Sequence, residues 1–274
     1  MAAVEVTYPH DGIDGRCREA RPGSRAASSA DETVAMSALR IGRRFQGPTD
    51  SGQGGWTAFR FTERIGEAVE VSLHAPVPLE TDLFVGADPA GDRWTLDTGR
   101  EHGRAVMTAV PTGPIVVDTE PVSIAAARRA REQFAHLGPR HPVPFCFSCG
   151  LRHDSMRVHA AALDEDRYAT DWTVPGWAVG PDGAVDGGVL WAALDCTSAW
   201  YVCQSRGERV AFTVRYAAEI LEPVEAGATY ALVGWAGDAA AEWDGRKRHA
   251  AAAAFTADGT CVARSVSLWV SVDA

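Results

Sequence analysis

Three clusters of residues in this chain have side chains and spacings that could do chemistry. The first is Asp186-Gly187-Gly188, followed by an apolar run and then Asp195, nine positions after Asp186. A helix opening at the glycines would offer backbone N–H groups and the positive end of its dipole to a developing negative charge. Glycine there lets a carbonyl approach the backbone with no side chain in the way. Asp195 falls inside an otherwise apolar helix, where an acid is costly without a partner. Such a carboxylate could be a general base or a nucleophile. It could also be a buried helical acid satisfied by a hydroxyl or a backbone group. It cannot easily serve the glycines of its own helix, because nine residues span roughly 13 Å. It must face another such turn, and Gln53-Gly54-Gly55 supplies one. The reciprocal arrangement sets Gly187 and Gly188 opposite Thr62 and Glu63. Gln53, Asp186 and Thr62 then become candidate substrate contacts.

The second cluster is Cys146-Phe-Ser-Cys149-Gly. One Cys-x-x-Cys is half of a tetrahedral zinc site. His153, Cys196 or Cys203 could complete it, but no second pair at metal-finger spacing exists. No thioredoxin-like pattern surrounds it either. The expectation is a tight turn with two half-buried thiols, and neither a metal nor a cofactor. Cys196 follows Asp195 but sits about 100° around the helix, which argues against a cysteine nucleophile beside it. The third cluster is Arg246-Lys247-Arg248, after an Asp244-Gly245 turn. Arg246 and Arg248 could clamp phosphates with their forked guanidinium groups, or could be a solvated hairpin end. Arg43-Arg44 carries the same two readings. Tryptophans are abundant in the second half, most of them suited to core or sheet-face positions.

The elements that must position these residues follow from patterning. The chain has 274 residues, 46% hydrophobic and 23% charged, with a formal net charge of −10. That balance argues against general nucleic-acid binding, which needs a basic face. No run approaches the roughly 20 apolar residues of a membrane span, and no apolar signal core opens the chain, so a cytoplasmic location is expected. Six cysteines are too sparse for a disulfide scaffold. Residues 1–35 lack apolar periodicity and read as a disordered tail, or as sequence preceding a start at Met36.

From Ser37 the pattern is regular. Residues 37–46 alternate as a strand, and Gly47-Pro48 ends it. A glycine-rich turn leads into a buried helix at residues 56–65. Strands are expected at 69–75, 83–87, 93–97 and 104–110. Residues 121–137 read as a basic helix that Ser123 could cap, a connector between the units, and Pro139, Pro142 and Pro144 extend it. The plan then repeats: strands at 156–161 and 168–172, a helix from Asp186 to about Val202, and strands at 209–216, 230–237, 249–256 and 261–272. Gln53-Gly54-Gly55-Trp56 matches Asp186-Gly187-Gly188-Val189, and residues 69–73 match 214–218. Such a repeat fixes the architecture. The first unit is 36–118, a linker with its helix 119–144, and the second unit 145–274. Two copies can join their sheet edges into one continuous sheet.

At these residues the sequence resembles the hotdog-fold thioesterase superfamily. In the phenylacetyl-CoA-type members a His-Gly-Gly turn opens the central helix, with an acid nine positions after the His. Here Asp186 stands in place of that His. The Ser-Gly-x-Gly-Gly run, the Cys-Phe-x-Cys-Gly turn and the Trp-Ala-Ala-Leu-Asp-Cys helix make the chain similar to actinobacterial thioesterase-like tandem proteins. The resemblance implies an α+β double hotdog, each unit a long antiparallel sheet around a central helix, with sites where the units meet. It implies an acyl-CoA or acyl-carrier thioester as partner and hydrolysis as the reaction, in a monomeric pseudo-dimer or a homo-oligomer. Two other activities stay open. One is a non-catalytic acyl-thioester binder, which the missing turn histidine favours. The other is a hydratase or dehydratase, which the absence of histidine from both helices disfavours.

Overall fold

A computed structural model describes residues 38–99, 103–117, 119–136, 141–205, 210–237 and 245–272. The expected tail, Cys17 and Asp244 lie outside them. The first half contributes β1 (Leu39–Arg40), α1 (Gly54–Ile65), β2 (Val69–Leu73), β3 (Asp82–Ala87), β4 (Trp94–Asp97) and β5 (Ala105–Pro111). A connecting helix α2 (Ile124–Glu132) follows. The second half adds β6 (Ala161–Ala162), β7 (Arg167–Thr173), α3 (Gly187–Gln204), β8 (Val210–Ile220), β9 (Thr229–Ala236), β10 (Lys247–Phe255) and β11 (Cys261–Val272).

These strands form one antiparallel sheet in the order β1-β3-β4-β5-β2-β8-β11-β10-β9-β7-β6. The halves join at β2 and β8, where Val71 pairs with Tyr216 and Ser72 with Arg215. Glu70 and Arg215 pair at 3.4 Å beside that seam. The two segments that match in sequence, 69–73 and 214–218, are therefore the ones that meet. Backbone pairing at the seam removes the two free edges that separate halves would expose.

Helix α3 is apolar on every face and almost wholly buried from Gly188 to Cys203, as a helix between two layers must be. It packs against β7 to β11 on one side and α1 on the other. The Tyr216 hydroxyl of β8 donates to the Trp191 carbonyl at 2.8 Å. Both helices start on a side-chain cap. The Gln53 side chain accepts the Trp56 N–H, and Asp186 accepts the Gly188 N–H. They run antiparallel: Gly55 lies against Trp191 and Asp195, and Gly187 against Phe59.

Alternation along β10 separates two cores. Ala250, Ala252 and Ala254 face α3, whereas Ala251, Ala253 and Phe255 join a second apolar cluster on the opposite face. Ala127 and Ala130 of α2 close that cluster. Arg128 and Arg131 of α2 both bond the Asp171 carboxylate of β7, at 2.9 and 2.5 Å. The connector thus covers the outer face of the second half.

Two of the expected strands are reduced to two residues each. After β1 the chain enters a 3-10 turn at Arg43–Phe45, because the Glu80 carboxylate accepts the Arg43 N–H and Phe45 stacks on Trp56 at 3.8 Å. Of residues 156–161, only Ala161 enters a strand. Met156 and Val158 instead donate to the Phe147 and Ser148 carbonyls. No helix among the described residues is long and apolar enough to cross a membrane.

α3 approaches the sheet tightly at Gly234 of β9, where a Cβ would lie 2.8 Å from the Thr197 carbonyl oxygen. Backbone on both sides leaves little room to yield. Gly234→Ala is expected to lower stability by about 1–3 kcal/mol, as overpacking does, measured by denaturant unfolding. An unchanged unfolding midpoint would show that α3 does not sit this close.

Candidate functional site

The N-terminus of α1 and the middle of α3 meet beside a cavity of ≈ 550 Å³. From the first half, Gly52, Gln53, Gly54 and residues 73–77 line it. The second half adds Asp195, Cys196, Trp200, residues 210–214 and Trp269, while His141 of the connecting segment reaches its wall. Most of the lining is apolar, and no Arg or Lys among the described residues borders it.

Asp195 is the buried acid of this cavity, only 4% exposed. Its Oδ2 accepts the Gly55 N–H at 3.1 Å and the Gln53 side-chain amide at 2.5 Å. Its Oδ1 accepts the Thr213 hydroxyl at 2.7 Å. Burial raises the Asp195 pKa to about 6, opposed by the bonds from Thr213, Gly55 and Gln53. Burial disfavours the charged form and the three donors favour it, and burial prevails. The Gln53 Oε1 accepts the Trp56 N–H at 2.6 Å, which turns its amide nitrogen toward Asp195. Gln53 therefore caps α1 and orients the carboxylate with one side chain.

The two glycines of this turn differ in role. The Gly55 N–H is already engaged by Asp195. The Gly54 N–H is the first donor of α1, has no partner among the described residues, and belongs to a residue on the cavity wall. The N-terminal end of a helix favours negative charge there.

The reciprocal interface is built differently. Asp186 pairs with Arg60, whose guanidinium also bonds Glu63 at 2.8 Å and lies over the Trp56 ring at 4.5 Å. A Cβ on Gly187 would meet Phe59, and one on Gly188 would meet Trp56 and Arg60. The Thr62 hydroxyl donates to the Phe59 carbonyl of its own helix at 2.8 Å. Glu63 connects to that turn through Arg60, which bonds both Glu63 and Asp186. The glycines here admit the close approach of α1 and α3, and Arg60 fills the space beside them.

The phosphate-clamp reading of Arg248 needs correction. Arg248 is 2% exposed, bonded to the Tyr201 hydroxyl, with its guanidinium 4.8 Å above that ring. The alternation of β10 directs it inward toward α3. Arg246 is exposed at the end of the hairpin, and neither arginine borders the cavity.

Two neighbours of the site were not legible as such. Thr213 is one hydroxyl among the strand residues of β8, and nothing in its spacing ties it to Asp195. His141 lies on the cavity wall, but its Nδ1 accepts the Val143 N–H and its Nε2 donates to the Cys149 carbonyl at 2.7 Å. Burial lowers its pKa. Both ring nitrogens are engaged by the backbone.

No family model matches the chain, and no curated protein matches it. Solved structures similar to it cover part of its length. The E. coli PaaI protein from the phenylacetic acid degradation operon is 14% identical, with a TM-score of 0.42 over 54% of this chain and 96% of that one. Smu.793 from Streptococcus mutans, bound to acetyl CoA, is 14% identical, with a TM-score of 0.37 over 41% and 86% of the two chains. The thioesterase HI1161 from Haemophilus influenzae is 16% identical, with a TM-score of 0.37 over 42% and 78%.

The turn at α1 makes a paired prediction. A Cβ on Gly55 would lie 2.7 Å from the Trp191 carbonyl oxygen and 2.8 Å from the Asp195 Cβ. One on Gly54 would meet nothing nearer than 3.4 Å. Gly55→Ala is expected to destabilise by about 1–3 kcal/mol, while Gly54→Ala leaves the melting temperature close to that of the parent. Equal effects in a thermal melt would mean that α1 and α3 do not touch at Gly55.

Proposed function

We propose that the chain is a tandem double hotdog, with units at 36–118 and 145–274 and a linker at 119–144. In this reading it hydrolyses an acyl thioester, such as an acyl-CoA, in the cavity beside Asp195. One observation carries the reading: a buried carboxylate from one half is held on the helix N-terminus of the other, at the edge of an apolar cavity. The reciprocal interface, filled by Arg60, is structural. A cytoplasmic setting, where thiols stay reduced, completes the proposal.

The residues divide the work as follows. The acyl chain enters the apolar cavity, and its carbonyl oxygen approaches the Gly54 N–H. That donor and the α1 dipole stabilise the oxyanion as the carbonyl becomes tetrahedral. Asp195 either removes a proton from the attacking water, or attacks the carbonyl carbon itself to form an acyl-aspartyl anhydride that water then cleaves to release the acid and restore the carboxylate. Collapse of the tetrahedral adduct breaks the C–S bond and releases the thiolate. Gln53 and Thr213 are positioning residues that hold the carboxylate toward the cavity. Gly55 completes its cradle from the backbone.

Asp195→Asn keeps the shape of the side chain and removes its basicity. It is expected to lower kcat by about 10²–10⁴-fold over a panel of acyl-CoA thioesters, with the fold intact by circular dichroism. Turnover that persists unchanged in the variant would place the chemistry elsewhere. If acyl-CoA binds to the parent protein without turnover, the cavity serves as a binding site and the hydrolase reading fails. The engagement of the Gly55 N–H by Asp195 favours that second outcome, because it leaves one backbone donor rather than two.

A further inference from the structure

The turn at Cys146–Cys149 does more than reverse the chain. Folding brings Cys196 of α3 to it, so that three thiols from distant sequence positions lie together. Their sulfur atoms are all within 4.8 Å of one another, and Cys146 and Cys196 are 3.8 Å apart. All three residues are buried, and all three border the cavity.

We propose that Cys146, Cys149 and Cys196 form a three-thiolate site for a zinc ion whose fourth position opens onto the cavity. Sulfur atoms about 2.3 Å from a tetrahedral zinc lie roughly 3.8 Å apart, the separation already found between Cys146 and Cys196. Soft thiolates select zinc over the harder divalent ions.

The turn itself is shaped for the task. Gly150 donates to the Cys146 carbonyl at 2.8 Å, and a Cβ there would lie 2.2 Å from the same oxygen. Only glycine allows the chain to close so tightly. The Ser148 hydroxyl donates to the Ala192 carbonyl at 2.9 Å. Ala192 is one helical turn before Cys196 and on the same face of α3. The bond therefore docks the turn where the third sulfur is waiting.

Asp195 is not part of the set. Its carboxylate is held by Gln53, Gly55 and Thr213, and the Gln53 amide, 3.7 Å from the Cys196 sulfur, stands beside both groups. The fourth ligand then comes from water or from a molecule in the cavity. Binding releases up to three protons as the thiols become thiolates. The site stands independently of thioester hydrolysis, since it requires neither Asp195 nor turnover.

The test uses the full chain, reduced and stripped with a chelator, then titrated with Co²⁺ as a spectroscopic stand-in for zinc. The expected result is a thiolate-to-cobalt charge-transfer band with intense visible bands of a tetrahedral site. It should saturate at one ion per chain and be displaced by Zn²⁺. Cys149→Ser and Cys196→Ser should each weaken binding by more than about 100-fold, beyond the cost of losing an outer-shell partner. Cys261→Ser, on β11, should leave the titration unchanged. Absence of the charge-transfer band in the parent protein would overturn the proposal without reference to any variant. A band that survives in both cluster variants would overturn it as well.

Discussion

The contact between the Gly55 N–H and the Asp195 carboxylate ties the two halves of the molecule together beside the cavity. It requires α1 and α3 to run antiparallel and to touch, which in turn requires glycine at the start of each helix. It also requires a continuous sheet across the β2–β8 seam, since that sheet sets where each helix lies. An acid buried within an apolar helix is tolerated only because the other half brings donors to it. The seam and the buried acid are thus parts of one constraint. Neither half satisfies it alone.

The same near-symmetry yields two different interfaces. At one, the helix N-cap is Gln53, whose amide both caps and donates, and the partner helix supplies Asp195. At the other, the cap is Asp186 and the corresponding helix position is Thr62. An acid at the cap attracts Arg60, and Arg60 with Phe59 and Trp56 fills the region. A single exchange of amide for carboxylate at the cap accounts for much of the difference. With the carboxylate at the cap, a cation closes the interface. Where the cap is an amide, the carboxylate lies across the interface and a cavity stands beside it.

Much of the architecture was legible in the chain because it rests on local patterns. The Gly-Gly turns, the apolar run after Asp186 and the strand alternation of the second half all correspond to elements found. So does the matching of 69–73 with 214–218, the strands that pair at the seam. The parts that were not legible depend on tertiary contact. The strand expected at 37–46 gives way to a 3-10 turn, because Phe45 finds Trp56 and Arg43 finds Glu80. Arg248 looked like a surface cation within a charged triplet, yet the alternation of β10 turns it inward to Tyr201. Thr213 and Arg60 have no distinguishing spacing and acquire their roles only when β8 meets α3 and α1 meets α3. The approach of Cys196 to the Cys146–Cys149 turn is of the same kind.

The most direct measurement is a crystal structure with a non-hydrolysable acyl-CoA analogue in which the thioester is replaced by a thioether ketone. The account predicts that the acyl chain occupies the cavity beside α1, with its carbonyl oxygen about 2.7–3.1 Å from the Gly54 nitrogen and its carbonyl carbon facing Asp195. An analogue bound at the Arg60 interface, or one whose carbonyl lies away from both Gly54 and Asp195, would contradict it.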